Sequence, residues 1–313
     1  MKNIKIDIIE SKTLIVGVFV NLIMAITGWI TFYFSNSDAV LLDGNFSFIA
    51  AITTFFGIII SKKKHIRTSD FPFGNYVFES FFVFFKGIMI LGITIVASIQ
   101  SSVKIINFLK GKSINPIDIH SIFYYIIIVI ILCFGLAFYY KARNKQIKNK
   151  SSMLSVESKS SLIDGFLSLG LGIFLITISI IPTDSTFHFL LYIGDAIIVL
   201  ILSMFLAKIP IKIIKTAFIE LRGGVLQDKK SRVQIEEVIS KNLSSNFINN
   251  SNYITKLGSS YLVVVYVNPK TDLVNVNEIE RMKEEILNSL IPDFHTVYLE
   301  IVINKNEKSQ QHT

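Results

Sequence analysis

The sequence predicts an α-helical membrane protein in which six transmembrane helices are followed by a small cytoplasmic α+β domain. Three observations carry this. Apolar residues make up 51% of the 313-residue chain, and the mean hydropathy is +0.55, both high for a water-soluble protein of this length. Six apolar stretches lie between short polar loops, each near the roughly 20 residues that a helix needs to cross a bilayer. After Arg222, Gly223 and Gly224 break the apolar pattern and a polar region of mixed helical and strand periodicity begins.

The stretches fall at 14–34, 39–61, 80–100, 120–140, 155–181 and 188–209. Lys62, Lys63, Lys64 and Arg67 follow the second. Lys141, Arg143, Lys145, Lys148 and Lys150 follow the fourth, and Lys208, Lys212, Lys215 and Arg222 follow the sixth. On the opposite side, loops 35–38 and 182–187 hold no base, while 103–119 holds Lys104, Lys110 and Lys112. The excess of basic residues on one side predicts a multi-pass protein of the cell membrane with both termini in the cytoplasm. The three lysines of 103–119 run against it. The net charge of +8 is spread over these inter-span clusters, which argues against nucleic acid as a partner. The single cysteine, Cys133, excludes an internal disulfide, and the first stretch is too long for a signal-peptide core.

Two spans carry unexpected polar stripes. On the second, Asp43, Phe46, Ser47, Ala50, Thr54, Gly57 and Ser61 recur at steps of three or four, the spacing of one helix face; on the fifth, Glu157, Ser160, Ser161, Asp164, Ser168 and Gly172 do the same. An ionisable group inside a span is disfavoured by roughly 2.5–3.5 kcal/mol, so Asp43 and Asp164 are expected to face a partner or a wet path. On the first span, Asn21 stands among Gly17, Ala25 and Gly28; the small residues suggest close helix packing, and Asn21 reads as a strut or a lining group. The third span has Glu79 at its cytoplasmic mouth and Lys86 seven residues on, on the same face and too deep to snorkel. The fourth, with no charge between Ile122 and Phe138, reads as packing. Asp195 near the start of the sixth is a helix cap or a functional group.

Beyond Gly224, Val233, Ile235, Val238, Ile239 and Leu243 mark an amphipathic helix. Residues 253–257 and 261–267 read as strands joined around Gly258, and Ile279, Met282, Ile286 and Leu290 mark a second helix. The alternation of Val297, Leu299, Ile301 and Ile303 is that of a half-buried strand. This α-β-β-α-β order predicts a ferredoxin-like sheet with exposed edges, for which pairing with a second copy is a natural stabiliser. The expected organisation is a transmembrane domain at 1–222, a dimerisation or regulatory domain at 223–304 and a disordered tail at 305–313.

Six spans, cytoplasmic ends and this carboxy-terminal domain resemble the cation diffusion facilitator family of metal/proton antiporters. Local words agree: "NSDAVLLDGNFSF" resembles the family's approach to its second span, "FPFGNYVFES" its loop into the third, and "GDAI" the start of the sixth. The resemblance implies a transporter rather than an enzyme, with an inorganic cation, protons and the lipid bilayer as partners and no resident cofactor. It also implies a metal site made of two residues four apart on the second span and two on the fifth. Here those positions are Phe46, Ala50, Ser160 and Asp164. A phenyl ring and a methyl group donate nothing to zinc. The loop histidines of the family word are replaced by Phe71 and Asn75, and in the soluble domain Glu300 stands at the ligand position of the last strand while His295 is alone.

Because the second and fifth spans run in opposite directions, Asp43 lies about one turn outside the level of Asp164. Asp43 and Asp164, with Ser168 and Asn45 or Ser47, would form an oxygen-rich pocket suited to Mg, Mn or a monovalent ion. Alternatively Lys86 pairs with Asp164 or Asp43, and the polar core is a proton-linked or structural network; plain helix packing is the third reading. The function expected is secondary active cation efflux by proton antiport, the alternative being a protein of the same shape that senses or moves another solute. No Walker-type phosphate loop points to an ATP-driven pump.

Overall fold

Six long helices account for the apolar stretches: α1 Lys2–Ser35, α2 Asp38–Lys63, α3 Val77–Leu109, α4 Ile119–Gln146, α5 Ser152–Ser179 and α6 Leu190–Leu206, the last followed by α7 Lys208–Leu221. They come from a computed structural model that describes residues 2–63, 66–147, 152–182, 185–271, 273–294 and 296–304. Lys64, Lys148, Lys150, His295, the tail 305–313 and the side chain of Ser61 lie outside the described residues. Among the described residues six helices are long and apolar enough to cross a membrane. Together with the small sheet domain below, this is the fold class the hydropathy pattern predicts.

Local chemistry sets the helix ends. Asn36 adopts the left-handed conformation (φ 52°) between α1 and α2, which Asn tolerates better than most residues. Asp118 caps α4, its carboxylate accepting the His120 N–H at 3.1 Å. The expected single stretch at 188–209 is interrupted at Ala207. Pro210 is the cause: its ring excludes the carbonyl four residues earlier, so it is accommodated only in the first turn of a new helix.

The chain divides into two compact units, Met1–Lys62 with Phe85–Lys212 and Lys63–Phe84 with Ile213–Thr313. In the first, Ile122, Tyr125, Ile126, Val129 and Cys133 of α4 form the buried centre, met by Met24 of α1, Val40 and Leu42 of α2, Leu171 and Leu175 of α5 and Val199 of α6. Small residues set the closest approaches. A Cβ on Gly28 would lie 2.9 Å from Gly44 Cα, so α1 and α2 meet backbone to backbone there. Large apolar side chains such as Phe19, Phe85, Ile131, Phe166 and Phe205 point outward, where a bilayer covers them.

In the second unit, α8 Lys229–Asn242, β1 Phe247–Leu257, β2 Ser260–Pro269, α9 Val276–Leu290 and β3 Thr296–Ile303 follow in the predicted order. The sheet runs β1-β2-β3, antiparallel between the first pair and parallel between the second. Ile254, Val263, Val265, Val267 and Leu299 are buried with Ile235 and Ile239 of α8 and Met282, Ile286 and Leu290 of α9. β1 begins six residues before the expected 253, with a register shift between Asn249 and Ser251. Asn is a poor strand former, and pairing with Val265 and Val267 overrides that preference here.

Candidate functional site

The polar stripes of α2 and α5 meet inside the first unit. Asp43 of α2 is half-buried and its Oδ2 accepts a hydrogen bond from the Tyr125 hydroxyl of α4 at 2.7 Å. Tyr125 is only 3% exposed, and a buried tyrosine hydroxyl needs such a partner. Ser168 of α5 faces the same carboxylate. Its hydroxyl is buried and has no hydrogen-bond partner among the described residues. The close crossing of α1 and α2 bears on this spot directly, since a Cβ on Gly28 would also come within 3.0 Å of the Tyr125 hydroxyl.

Asp164 lies one turn before Ser168 on α5 and remains accessible on one side. The charges of Asp43, Glu157 and Lys86 all act on it. Glu157, two turns earlier on α5, also feels Lys86. The Thr54 hydroxyl of α2 lies near Glu157 and, like that of Ser168, is buried with no hydrogen-bond partner among the described residues. Lys86 is half-buried on α3 and makes no ion pair within 4 Å among the described residues. Three carboxylates, one ammonium and two unpaired hydroxyls thus gather in otherwise apolar surroundings. In a low dielectric such charges interact strongly even when they do not touch.

The remaining residues singled out from the sequence lie elsewhere. Asn45 accepts a hydrogen bond from the Trp29 indole at 2.9 Å, Ser47 is half-buried, Ser160 is exposed, and Asn21 is buried in α1 at 7% exposure. Phe46 packs against the apolar core. Glu79 belongs to the second unit, where its Oε2 accepts the Ser259 N–H of the β1–β2 turn at 2.5 Å. Asp195 is fully buried in α6, where it is bonded to Lys104 and to the Asp38 N–H. Among the described residues no three His, Cys, Asp or Glu side chains come close enough to hold a metal ion.

Two participants were missed in the sequence. Tyr125 sat in a span read as packing, although a mid-span tyrosine hydroxyl needs a polar partner and so carried a signal. Glu157 was placed on the polar stripe but not among the pathway residues; its depth was the available clue.

Residues 14–221, the six membrane helices and α7 together, match the profile of the cation efflux transmembrane domain. The chain belongs to the cation efflux family. No individual curated protein matches it. Membership makes this cation efflux protein a multi-pass membrane protein that transports cations and not an enzyme, and it makes the charged cluster of α2, α3 and α5 the natural place to look for the cation path.

Proposed function

We propose that this cation efflux protein exchanges a hard cation for protons, with Asp164 as the carboxylate that both share. The observation that carries the reading is Asp164 itself: an accessible acid in a membrane helix, within electrostatic reach of Asp43, Glu157 and Lys86. Ionised, it attracts the cation; protonated, it releases it. Asp43, its Tyr125 hydroxyl and the unpaired Ser168 hydroxyl add oxygen donors, which suits Mg, Mn or a monovalent ion better than zinc. Asp164→Asn keeps the shape and removes the charge. In proteoliposomes given a panel of cations and an internal pH dye, proton-coupled flux is expected to fall to background, and undiminished flux would remove the mechanism.

A second reading, in which the charged core senses or stabilises and no metal moves, is favoured by the lack of three converging ligating side chains among the described residues. The two separate by melting temperature in detergent with cations added singly, because a ligand that binds only the folded protein must stabilise it.

The basic clusters support a cell-membrane protein whose termini and sheet domain are cytoplasmic. The domain limits of 223–304 are supported by the start of the capped α8 after Asp228, though the compact unit that holds the sheet also takes in α7 and loop 63–84. A homodimer is supported by the sheet's uncovered face, where Tyr253 and Leu262 are 54% and 41% exposed beside Val264 and Tyr266. A monomeric mass in mild detergent would exclude it.

A further inference from the structure

The three lysines of 103–119 were the discordant feature of the charge pattern, and one of them is not a loop residue at all. Lys104 lies on α3, near its end. Its Nζ donates to both carboxylate oxygens of Asp195 on α6 and to the Asn36 carbonyl, all at 3.0 Å. Asp195 is 0% exposed and the Lys104 side chain 14%. Asp195 Oδ2 also accepts the Asp38 N–H at 2.7 Å, and the Asp38 carboxylate accepts a longer bond from Ser101 Oγ at 3.4 Å. One ammonium and one carboxylate therefore tie the α1–α2 turn, the first residue of α2, α3 and α6 together.

Two recesses lie at this end of the helices, the first of them against Lys104. One of about 360 Å³ is lined by Asp38, Gln100, Lys104 and Asn107. A second of about 130 Å³ shares Asp38 and Gln100 with it and continues between α2 and α3 to Asn45 and Gly92. Asn45 is seven residues, about two turns, beyond Asp38 and so at the depth of Asp43, on a different face of α2. The two recesses thus follow α2 and α3 inward from the end of the helices, with Lys104 of the ion pair lining the outer one.

We infer that Lys104 and Asp195 form a latch over the non-cytoplasmic end of the cation path, parting and re-forming in each transport cycle, with Lys104 as a positioning residue. The inference rests on the proposed orientation and on cation release at this end. A buried carboxylate held by an ammonium that still reaches water suits the task. The pair is strong while shielded, and water can replace each partner once the helix ends separate.

The test uses a membrane-impermeant amine-acylating reagent on the intact protein in proteoliposomes, with modified lysines quantified by mass spectrometry at rest and during cation flux. Lys110 and Lys112 are exposed at the same end and serve as internal references. At rest, Lys104 is expected to react several-fold more slowly than both; during flux its rate should rise several-fold while theirs stays constant. An unchanged Lys104 rate during measured flux overturns the latch. Failure of Lys110 and Lys112 to react from the outer face overturns the orientation instead, and the comparison is repeated from the other face.

A second arm requires no known cargo. In a Cys133→Ser background, thiol labelling of Asn45→Cys is compared with and without Lys104→Met and Asp195→Asn together, a pair that leaves no charge stranded. Recovered melting temperature with several-fold faster labelling supports the latch. A stable double variant in which labelling matches the parent overturns the latch and identifies the ion pair as a static strut.

Discussion

The Tyr125 hydroxyl of α4 donates to the Asp43 carboxylate of α2 at 2.7 Å, fixing one of the few acids in the membrane helices to a span that is otherwise apolar. A hydrogen bond to a charged group is worth roughly 1.5–3 kcal/mol, and leaving the acceptor buried and unpaired costs a similar amount. Tyr125→Phe is therefore expected to lower the melting temperature of the detergent-solubilised protein, and Asp43→Asn in the same molecule should recover part of the loss. Equal stability of Tyr125→Phe and the parent would mean that the bond contributes nothing.

The helix crossing beside this pair makes an ordered prediction. A Cβ at position 28 meets Gly44 Cα at 2.9 Å and the Tyr125 hydroxyl at 3.0 Å, whereas one at position 44 meets nothing closer than 3.4 Å. Gly28→Ala should cost about 1–3 kcal/mol by overpacking. Gly44→Ala should cost clearly less. Thermal unfolding of the two variants side by side checks the order.

Lys86 acts electrostatically on both Asp164 and Glu157 without bonding to either. If Asp164 holds the cation, Lys86→Met removes a competing positive charge and tightens cation binding, seen as a larger cation-induced rise in melting temperature. In the cation-free protein the same change should lower stability, since the carboxylates lose their counter-charge. A variant stabilised less by every cation than its parent would contradict this.

In the second unit, Ser80 Oγ accepts the Gly258 N–H at 2.8 Å and donates to Glu220 at 2.9 Å, beside the bond from Ser259 N–H to Glu79. Gly258 has a φ of +59°, and a Cβ there would stand 2.5 Å from both the Glu79 carboxylate and the Tyr76 carbonyl. Gly258→Ala should therefore perturb the β1–β2 turn more than Ser80→Ala, which removes hydrogen bonds but adds no clash. Amide exchange across 254–262 in the full-length protein reads the difference.

The Ser231 hydroxyl beside Asp228 holds its carboxyl below the usual carboxylate range, helped by the N–H groups of Ser231 and Lys230 at the start of α8. A carboxyl with a depressed folded-state pKa contributes stability above its unfolded value, about 3.9, and loses it as pH falls through the folded value. The first turn of α8 should accordingly loosen in acid below about pH 4. Asp228→Ala should remove that acid step and about 1 kcal/mol of helix stability at neutral pH. Amide exchange at 229–233, corrected for intrinsic rates, measures both.

The spans and the α-β-β-α-β order were legible in the sequence because each rests on a local signal: about 20 apolar residues for a membrane helix, or a period of 3.6 or 2 for an amphipathic element. The stripe holding Asp43 and that holding Asp164 were legible for the same reason. Which polar group meets which was not. The faces between α1, α2, α4 and α5 are built from Leu, Ile, Val, Phe and a few glycines, and many registers of such faces look equivalent in sequence. Only the packed helices set Tyr125 against Asp43 and turned Lys104 from a loop charge into the partner of Asp195. Contacts between side chains 82 and 91 residues apart depend on helix rotation and depth, and those are decided by close packing of the whole bundle rather than by any local stretch.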